Sequence, residues 1–383
     1  MLTEKTMDVA IIGAGPGGSA VAMGLKNSGL QVVLIDESNF PREKICGDAI
    51  PSWVLTDLEP YCAAIHETFL ETMKPGIFSS TSMLLSNGQK LNFKWGKPGY
   101  MIPRLQFDNF LLDQVLASGK IRFFGGEKIS KVHKLDSGYE LFNSEGKLLL
   151  RCRVLIGADG ASSLVAKSVS ARGSKSRSAG HAVRAYYKNV NLESSDTSMV
   201  FFDKAFSPGY FWIFPLPDNR ANVGFGMPNT SRLKRNIKLT KASEEFIKSN
   251  DSVTRILKSA ESEGPFKGGI LPFAGKWKPL AGLDYILVGD AANLLDPFSG
   301  DGIRNAVRSG LFAAETILNA FQTGKLNPDL LKAYESLIKK HLWPQLKQRA
   351  KLVKWVGRLP WLVPFVIRIG NVGIVSRWLK TWL

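Results

Sequence analysis

Two short apolar runs near the start of the chain flank a segment whose apolar positions have helical spacing. Residues 8–12 (DVAII) and 31–36 (QVVLID) have the continuous apolar character of buried strands. Between them, the apolar residues of the stretch 19–29 (SAVAMGLKNSG) recur at helical spacing as far as Gly29. The pattern predicts a strand–helix–strand unit of a parallel sheet.

Alternating and continuous apolar runs predict further strands through the middle of the chain. Residues 82–93 and 209–227 each have a turn between two apolar runs, so we predict a hairpin in each, the first around Asn87-Gly88. The remaining predicted strands cover residues 120–124, 127–135, 138–144, 147–160, 181–190, 197–202 and 283–292. Helical spacing predicts helices over 104–118, within 240–262 and from about Gly302.

A glycine-rich turn joins the first strand to the first helix. The sequence GAGPGG places Gly13, Gly15 and Gly18 at the spacing of a dinucleotide-binding turn. The first glycine permits the tight turn, the second lets a pyrophosphate approach the backbone, and the third allows close helix–strand packing. Asp36 ends the second strand, where its carboxylate can accept hydrogen bonds from a ribose. The alternative is a glycine-rich turn in an ordinary strand–helix–strand unit.

Near the other end of the chain, residues 289–303 (GDAANLLDPFSGDGI) begin at the end of another buried strand. Asp290 ends that strand, near the ligand crevice of a dinucleotide fold, and its carboxylate can hold a ribityl hydroxyl. The backbone N–H groups near Gly302 and Ile303, with the dipole of the following helix, can stabilise negative charge on the N1–C2=O edge of a reduced flavin. The alternative is a plain strand–loop–helix connection with a capping aspartate.

The order of these motifs resembles a large group of flavoproteins that includes aromatic hydroxylases, flavin halogenases and geranylgeranyl reductases. Three signatures of the group occur in the usual order, at residues 13–18 (GAGPGG), 157–163 (GADGASS) and 289–303. Within the group, residues 41–51 (PREKICGDAIP) and 210–215 (YFWIFP) resemble motifs of the geranylgeranyl reductases. The chain is therefore identified as a member of that family. The resemblance implies FAD as the cofactor, with NADPH or ferredoxin as the external reductant.

The resemblance also implies which residues contact the cofactor. Besides the three glycines of the turn, the expected cofactor-binding residues are Ala14, Asp36, Cys46, Gly47, Ala49, Arg104, Lys128, Asp159, Asp290, Gly302 and Ile303. Of these, Cys46, Gly47 and Ala49 would lie along the flavin, and Lys128 would pass its backbone under the adenine. The chain departs from the family pattern at Asp48, where many reductases have a glycine or a glutamate.

Reduction of an isolated carbon–carbon double bond needs a hydride from the flavin and a proton from elsewhere. Two residues of the segment that resembles the family motif are candidates for that chemistry. We predict that Cys46 shapes the flavin face or assists proton delivery, and Asp48 is an alternative proton source. The competing interpretation of Cys46 is a small buried residue that only fills space.

The strand at residues 210–215 is expected to contact the substrate. Strand alternation puts Tyr210, Trp212 and Phe214 on one face and Phe211 and Ile213 on the other. An aromatic wall suits a polyprenyl chain, so the first three residues are predicted to bind the substrate. The alternative is a strand that is buried on both faces by ordinary packing.

The segments with nucleotide-fold signals are separated along the chain by predicted antiparallel strands, and this separation favours interleaved domains. We predict an α/β fold in which a Rossmann-like FAD-binding domain comprises residues 1–75, 101–172 and 281–335, an interleaved antiparallel-sheet substrate domain comprises 76–100 and 173–280, and a helical C-terminal tail comprises 336–383. Three widely separated cysteines form neither a disulfide framework nor a metal-ligand spacing, so we expect a cytoplasmic protein without a metal site.

The distribution of charge adds an expected partner. The 383-residue chain has a formal net charge of +17, and residues 336–383 contribute ten Lys/Arg and no Asp/Glu. The same tail holds five of the nine tryptophans, at positions 343, 355, 361, 378 and 382. Tryptophan among basic residues is typical of an interfacial segment on anionic lipid, so we predict peripheral association with the inner face of a membrane. The alternative is a helical subdomain packed on the protein; the tail is too apolar for a nucleic-acid-binding arm.

Three functional classes remain open. The first is an FAD-dependent reductase of polyprenyl groups on lipids, quinones or related isoprenoids. The second is an FAD-dependent monooxygenase or halogenase; a halogenase needs a positioned lysine, and the candidates in the right region, without a recognisable motif, are Lys74, Lys90, Lys94 and Lys97. The third is a lipid- or nucleotide-binding protein that has lost catalysis, which the intact flavin signatures disfavour.

Overall fold

The computed structural model describes residues 6–85, 88–169, 179–323 and 328–358. Asn87 of the first predicted hairpin and residues 359–383 of the tail, with three of its tryptophans, lie outside the described residues. The strands are β1 (Thr6–Ile12), β2 (Val32–Asp36), β3 (Ala49–Pro51), β4 (Gly76–Leu85), β5 (Lys90–Met101), β6 (Arg122–Gly125), β7 (Ile129–Lys134), β8 (Tyr139–Asn143), β9 (Leu148–Gly157), β10 (Ala179–Lys188), β11 (Thr197–Phe202), β12 (Tyr210–Leu216), β13 (Arg220–Pro228), β14 (Glu261–Ser262), β15 (Lys267–Pro272) and β16 (Tyr285–Leu287).

Helices occupy the connections between the strands and the C-terminal part of the described chain. They are α1 (Pro16–Leu25), α2 (Trp53–Leu58), α3 (Ile65–Met73), α4 (Arg104–Leu116), α5 (Leu164–Val169), α6 (Asn229–Lys234), α7 (Leu239–Ser249), α8 (Asp251–Ile256), α9 (Ile303–Gln322), α10 (Pro328–His341) and α11 (Trp343–Arg358). A 3-10 helix (Gly289–Ala292) follows β16.

A seven-stranded sheet carries the nucleotide-fold signals. Its order is β6-β2-β1-β9-β8-β7, and β16 also pairs with β9. The pairs β1–β2, β1–β9, β2–β6 and β9–β16 are parallel, whereas β7 and β8 extend the sheet as an antiparallel edge. The largest apolar core includes β1 and β2 together with α1, α4 and α9. Burial on both faces explains the continuous apolar runs of these strands.

A nine-stranded sheet forms the second layer of the molecule. Its order is β14-β10-β13-β12-β11-β4-β5-β3, with β15 also paired to β10. Its pairs are antiparallel except for β4 and β11, which run parallel. A second apolar core includes residues of this sheet together with α7 and α8. The predicted α/β fold with an interleaved sheet is confirmed. The domain limits stay a proposal, and β3, inside residues 1–75, joins the second sheet through β5.

Helices α1 and α9 cross at a close approach that glycines make possible. A Cβ atom on Gly310 of α9 would lie 2.4 Å from the carbonyl oxygen of Gly17, and a Cβ atom on Gly24 would lie 2.5 Å from Cβ of Ala314. Real Cβ atoms do not approach backbone oxygens this closely, so side chains at these positions would push the helices apart. The crossing brings the glycine-rich turn and the 289–303 segment to one edge of the first sheet.

The segment before α9 differs from the prediction. The strand predicted over 283–292 is limited to β16, and the chain then turns into the 3-10 helix. Gly289 has a φ of +55°, and a Cβ atom there would lie 2.9 Å from Cβ of Ala306 in α9. The chain therefore bends under α9, and Asp290 lies in a 3-10 turn instead of at the end of a strand.

The other predicted hairpins, strands and helices occur at the expected places, with shifts of a few residues at their ends. The helical region predicted within 240–262 divides into α7 and α8. Asn250 separates the two helices, because its side chain caps α8 by accepting a hydrogen bond from the Val253 N–H. Strand β14 follows where the helical prediction extended too far.

Helices α10 and α11 pack against the first sheet and its helices. The Tyr334 hydroxyl donates a hydrogen bond of 2.8 Å to the carbonyl oxygen of Leu287, and the Trp343 ring meets the Trp277 ring edge-on at a centroid distance of 5.0 Å. The described part of the tail is thus a packed helical segment. Among the helices of the described chain, none combines the length and the apolar character that crossing a bilayer requires.

Candidate active site

A continuous cavity of about 1590 Å³ is lined by both sheets. Its walls include all of the residues predicted to bind cofactor or substrate except Ala14 and Gly18. The structure therefore brings the three distant signatures, the segment around Cys46 and the strand β12 to one space. The role of each residue in that space remains a proposal.

The glycine-rich turn has the close contacts that its glycines predict. Gly13 has a φ of +102°, and a Cβ atom there would lie 2.4 Å from the carbonyl oxygen of Ala158. A Cβ atom on Gly18 would lie only 1.8 Å from the Gly13 carbonyl oxygen, so Gly18 serves packing behind the turn. At Gly15 the nearest atom to such a Cβ is a guanidinium nitrogen of Arg42, 3.4 Å away, which leaves the backbone open to a ligand.

Asp36 ends β2 and faces the same turn. Its Oδ2 accepts a hydrogen bond of 2.8 Å from the Ala14 N–H. Ala14 is fully buried, and this bond satisfies its backbone N–H. Its Oδ1 lies 3.6 Å from Nε of Arg42, whose other end lies 3.2 Å from Oδ2 of Asp108. Sequence analysis missed Arg42, although it lies in the motif at residues 41–51. Its guanidinium is the cation nearest the open backbone and suits a pyrophosphate.

Arg104 begins α4 and is buried beside the cavity. Its guanidinium binds Asp108 through two hydrogen bonds of 2.5 and 2.7 Å. Burial disfavours its charged form, but the Asp108 carboxylate more than compensates and raises the pKa of Arg104 above its ordinary value. The guanidinium also lies beside the Cys46 thiol. The predicted position of Arg104 at the cavity wall is thus fixed by a neutralising carboxylate one helical turn away.

The segment from Cys46 to Ala49 crosses the middle of the cavity wall. Gly47 faces the Phe214 ring, and a Cβ atom there would lie 3.2 Å from that ring. Asp48 has a φ of +65°, and its buried carboxylate accepts hydrogen bonds from the Arg104 N–H and from the side chains of Tyr186 and Asn222. Burial raises the pKa of both Cys46 and Asp48.

The third signature, residues 289–303, leads into α9 and lines the same cavity as the segment around Cys46. Oδ1 of Asp290 lies 3.3 Å from the place of a Cβ atom on Gly302. Burial raises the pKa of Asp290, opposed by the charges of Lys44 and Arg104. The Ile303 N–H donates to Oδ1 of Asp301 at 3.1 Å, so part of the N-terminal donor set that we expected for the flavin is used within the protein.

Asp159 and Lys128, two further residues predicted to bind the cofactor, also line the cavity. Asp159 accepts hydrogen bonds from the Ser163 hydroxyl (2.5 Å) and the Val165 N–H (3.0 Å), so it caps α5 while lining the cavity. Burial raises its pKa. Lys128 is exposed and lies 3.1 Å from Glu37. Asp159 follows β9, which runs parallel to β1, and Lys128 follows β6, which runs parallel to β2. The two residues therefore lie beyond the carboxyl ends of parallel strands, which is where folds of this kind bind dinucleotides.

The three aromatic residues of β12 form one wall of the cavity. The Trp212 and Phe214 rings are stacked at 5.9 Å with an interplanar angle of 27°, and Tyr210 lies 5.9 Å from Trp212. Phe211 and Ile213 are fully buried in the second core on the other face. One face of the strand is therefore buried in the second core, and the other face is partly exposed and borders the cavity.

The lysines considered for a halogenase lie elsewhere. All four belong to the part of the chain that the structure describes, and none of them is among the residues that line the cavity. Lys97, for example, lies over the Trp53 ring at 4.2 Å. A positioned lysine of the kind expected for a halogenase is therefore not supplied by these candidates.

The cavity fits an extended dinucleotide with a planar ring. Backbone is open beside Arg42 at the turn, and the carboxylates of Asp36 and Asp290 line the cavity, where they could accept hydrogen bonds from ribose and ribityl hydroxyls. Gly47 and Gly302 line the same cavity. These residues would hold FAD, with its pyrophosphate at the turn and its ring beside Cys46.

Comparison with known proteins agrees with this geometry. A family model described as FAD binding domain matches residues 6–241, which is more than half of the chain. The protein is therefore a flavoprotein by class, with an FAD binding domain. It is 30% identical over 366 residues to the digeranylgeranylglycerophospholipid reductase of Methanocaldococcus jannaschii, covering 91% of this chain and 87% of that one.

Other relatives are also named as reductases. The chain is 28% identical over 348 residues to the menaquinone reductase of Mycobacterium tuberculosis, covering 86% of this chain and 81% of that one. The chain belongs to the geranylgeranyl reductase family of FAD-dependent oxidoreductases. The family resemblance drawn from the sequence motifs is confirmed, and so is the prediction of an enzyme.

Solved structures share the fold. A geranylgeranyl bacteriochlorophyll reductase-like protein from Thermoplasma acidophilum has a TM-score of 0.77 and 21% identity, and the match covers 99% of this chain and 100% of that one. A flavin-dependent brominase has a TM-score of 0.79 and 20% identity, covering 99% and 93%. At these identities the likeness concerns the fold alone.

Replacement of Asp290 by Ala is expected to weaken FAD binding without lowering the stability of the apoprotein. The substitution removes a hydrogen-bond acceptor for the cofactor, worth about 1.5–3 kcal/mol for a charged group, or roughly ten- to a hundredfold in Kd. It also removes a carboxylate whose burial is unfavourable. Fluorescence titration with FAD and thermal unfolding of the apoprotein measure the two effects. Asp136→Ala, at an exposed loop position, is the matched control, and unchanged FAD affinity in Asp290→Ala would contradict the assignment.

Proposed function

We propose that this protein reduces carbon–carbon double bonds of a polyprenyl chain carried by a lipid, a quinone or a related isoprenoid. The observation that carries the proposal is the continuity of the cavity. The same space is lined by the dinucleotide turn in the first sheet and by apolar side chains of the second sheet. A hydrocarbon chain in the second part can therefore meet the flavin segment without passing through bulk water.

The part of the cavity under the second sheet is suited to a hydrocarbon. Its apolar lining residues include Phe78, Met83, Leu85, Leu91, Phe93, Val200 and Phe202. The polar groups between them bond to one another: Nε1 of Trp95 donates to Oγ1 of Thr81 at 3.0 Å, and Thr81 and Ser198 share a hydrogen bond of 2.6 Å. These hydroxyls do not need a polar substrate group, so the chamber favours an apolar one.

Helix α11 contributes apolar side chains to the wall of the same cavity. Leu352, Val353 and Val356 line the cavity from that helix. Apolar walls favour the exclusion of water. Exclusion of water strengthens electrostatic interactions inside the chamber and would protect the reduced flavin from side reactions. Together with the relatives named for digeranylgeranylglycerophospholipid and menaquinone, both of which carry polyprenyl chains, the chamber supports a long isoprenoid as the substrate class.

Bound and reduced FAD supplies the hydride for one carbon of the double bond. The other carbon needs a proton, for which the Cys46 thiol is placed at the cavity wall. Because burial raises its pKa, the thiol holds its proton at neutral pH. The Arg104 guanidinium beside it would stabilise the thiolate that remains until a proton returns from solvent.

Asp48 fits a positioning role better than a proton source. Its Oδ1 accepts from the Arg104 N–H at 3.2 Å, and its Oδ2 accepts from the Tyr186 hydroxyl at 2.6 Å and from Asn222 at 2.8 Å. A carboxylate engaged on both oxygens holds the loop in place. We therefore propose Cys46 as the proton donor and Asp48 as the residue that fixes its loop.

The decisive experiment reduces the purified enzyme without oxygen and then adds either a geranylgeranyl lipid or air. We expect the lipid to reoxidise the flavin without oxygen, with one double bond saturated per flavin reoxidised. Absorbance of the flavin and mass spectrometry of the lipid measure both. Oxygen insertion or halogenation in stoichiometric yield, with no reoxidation by the lipid, would support the monooxygenase or halogenase class and refute the proposal.

Replacement of Cys46 by Ser is expected to lower the rate of lipid reduction more than tenfold while FAD stays bound. Serine keeps the approximate size but holds its proton far more tightly than a thiol, so general-acid assistance worth about 10²–10⁴-fold is reduced. Single-turnover reoxidation measures the rate. Cys62→Ser, at a position whose thiol faces Gln114, is the control. Unchanged kinetics in Cys46→Ser would leave Cys46 as a packing residue.

We also propose that α11 places the enzyme on an anionic membrane surface. Trp355 is 62% exposed, and Lys347, Lys351, Lys354 and Arg358 are exposed on the same helix. Each basic residue near an anionic surface contributes about 1 kcal/mol. Because the opposite face of α11 lines the chamber, a bilayer contact there supports direct access for a membrane lipid.

Reversal of two charges on α11 is expected to weaken binding to anionic vesicles. In Lys351→Glu/Lys354→Glu, the loss of about 2 kcal/mol or more lowers the partition coefficient at least about thirtyfold, and added salt narrows the difference. Cosedimentation of the full chain with phosphatidylglycerol vesicles measures it. Lys147→Glu/Lys258→Glu carries the same charge change at exposed positions elsewhere. Equal sedimentation of both variants and the wild type would refute the proposal.

A further inference from the structure

Asn222 on β13 is fully buried and uses its whole amide group. Its Oδ1 accepts a hydrogen bond of 2.9 Å from Nε1 of Trp212. Its Nδ2 donates two hydrogen bonds of 2.8 Å, one to the carbonyl oxygen of Cys46 and one to Oδ2 of Asp48. One side chain therefore connects the aromatic wall of the chamber to the segment that carries the Cys46 thiol.

The segment that Asn222 holds is strained. Asp48 has a φ of +65°, a conformation that non-glycine residues adopt only when their surroundings enforce it. The Arg104 N–H and the Tyr186 hydroxyl bind its carboxylate, but only Asn222, among the bonds of the described residues, reaches both the carboxylate and the backbone of Cys46. Loss of this amide would release the turn at two points.

The other end of the connection is equally confined. The Trp212 indole lies flat on β13, where a Cβ atom on Gly224 would lie 2.1 Å from it. The indole also stacks on Phe214, whose ring lies over Gly47. A shift of the Trp212 ring therefore stretches its bond to Asn222, and the same amide holds Cys46.

We propose that Asn222 is a positioning residue that holds the turn bearing the Cys46 thiol against the aromatic wall. The inference rests on the proposed function, in which a polyprenyl chain packs on Trp212. The amide is held by the Trp212 indole, and the amide in turn holds the turn from which the thiol would deliver its proton.

The test follows alkylation of Cys46 by iodoacetamide, with peptide mass spectrometry and Cys62 of the same molecule as the internal reference. Asn222→Leu keeps the branching of the side chain, adds some volume and removes every hydrogen bond of the amide, so we expect Cys46 to react about tenfold faster than in the wild type. The ratio of the Asn222→Leu rate to the wild-type rate should change little with pH, because leucine adds no titratable group. FAD absorbance and the melting temperature show whether the variant is folded.

Asn222→Asp gives a second result with a distinct pH dependence. The new carboxyl faces Asp48, with Cys46, Tyr186 and the guanidinium groups of Arg104 and Arg184 as the other titratable or charged neighbours. A shared proton preserves the bond between the two carboxyls at low pH, whereas repulsion opens the turn when both ionise. Over the pH range in which the variant stays folded, the ratio of the Asn222→Asp rate to the wild-type rate should therefore rise as the pH rises.

Asn109→Asp is the matched control, because the Asn109 amide donates to Asp113 at 2.8 Å on the exposed face of α4. It should leave Cys46 alkylation at the wild-type rate. Unchanged alkylation of Cys46 in Asn222→Leu, or a flat ratio for Asn222→Asp across this pH range, would overturn the proposal. The alkylation result does not require turnover, so a wild-type enzyme that fails to reduce a polyprenyl lipid would refute the proposed function and leave this test intact.

Discussion

The close crossing of α1 and α9 is the constraint on which the site depends. Gly17 and Gly310 remove the side chains that would separate the two helices, and Gly289 lets the chain turn beneath α9. Backbone at van der Waals contact fixes the relative positions of two segments from opposite ends of the chain. Without it, Asp290 and the glycine-rich turn would not share a cavity, however well each motif matched its pattern.

The buried charges near the glycine-rich turn are arranged as neutralising pairs. Asp36, Arg42, Asp108 and Arg104 alternate in sign along the wall, and neighbouring members lie within 2.5–3.6 Å of each other. Buried charges are tolerated only with such partners. The arrangement leaves Asp290 as a carboxylate balanced by the more distant charges of Lys44 and Arg104. Burial therefore raises the pKa of Asp290, and the charges of Lys44 and Arg104 only partly oppose that rise.

The sequence was sufficient for the parts of the site that have a local pattern. Glycine spacing, a terminal acid and strand alternation are short-range signals, so the turn, Asp36 and the face of β12 could be predicted. Asn222 could not, because a single asparagine in a strand has no signature and its partners lie on other strands. The 3-10 turn at Asp290 was missed for a related reason, since it depends on the packing of Ala306 against Gly289.

Helix α11 and the loop that leads to Gly302 meet at a buried ion pair. Arg349 of α11 binds Asp296, whose Oδ1 also accepts the Phe298 N–H at 2.8 Å in the loop that leads to Gly302. Separation of a buried pair leaves an uncompensated charge and costs about 3–5 kcal/mol. Helix α11 also contributes Leu352 to the chamber wall. Movement of α11 away from the cavity would therefore have to break this pair, and the loop that leads to Gly302 would lose a contact that holds it in place.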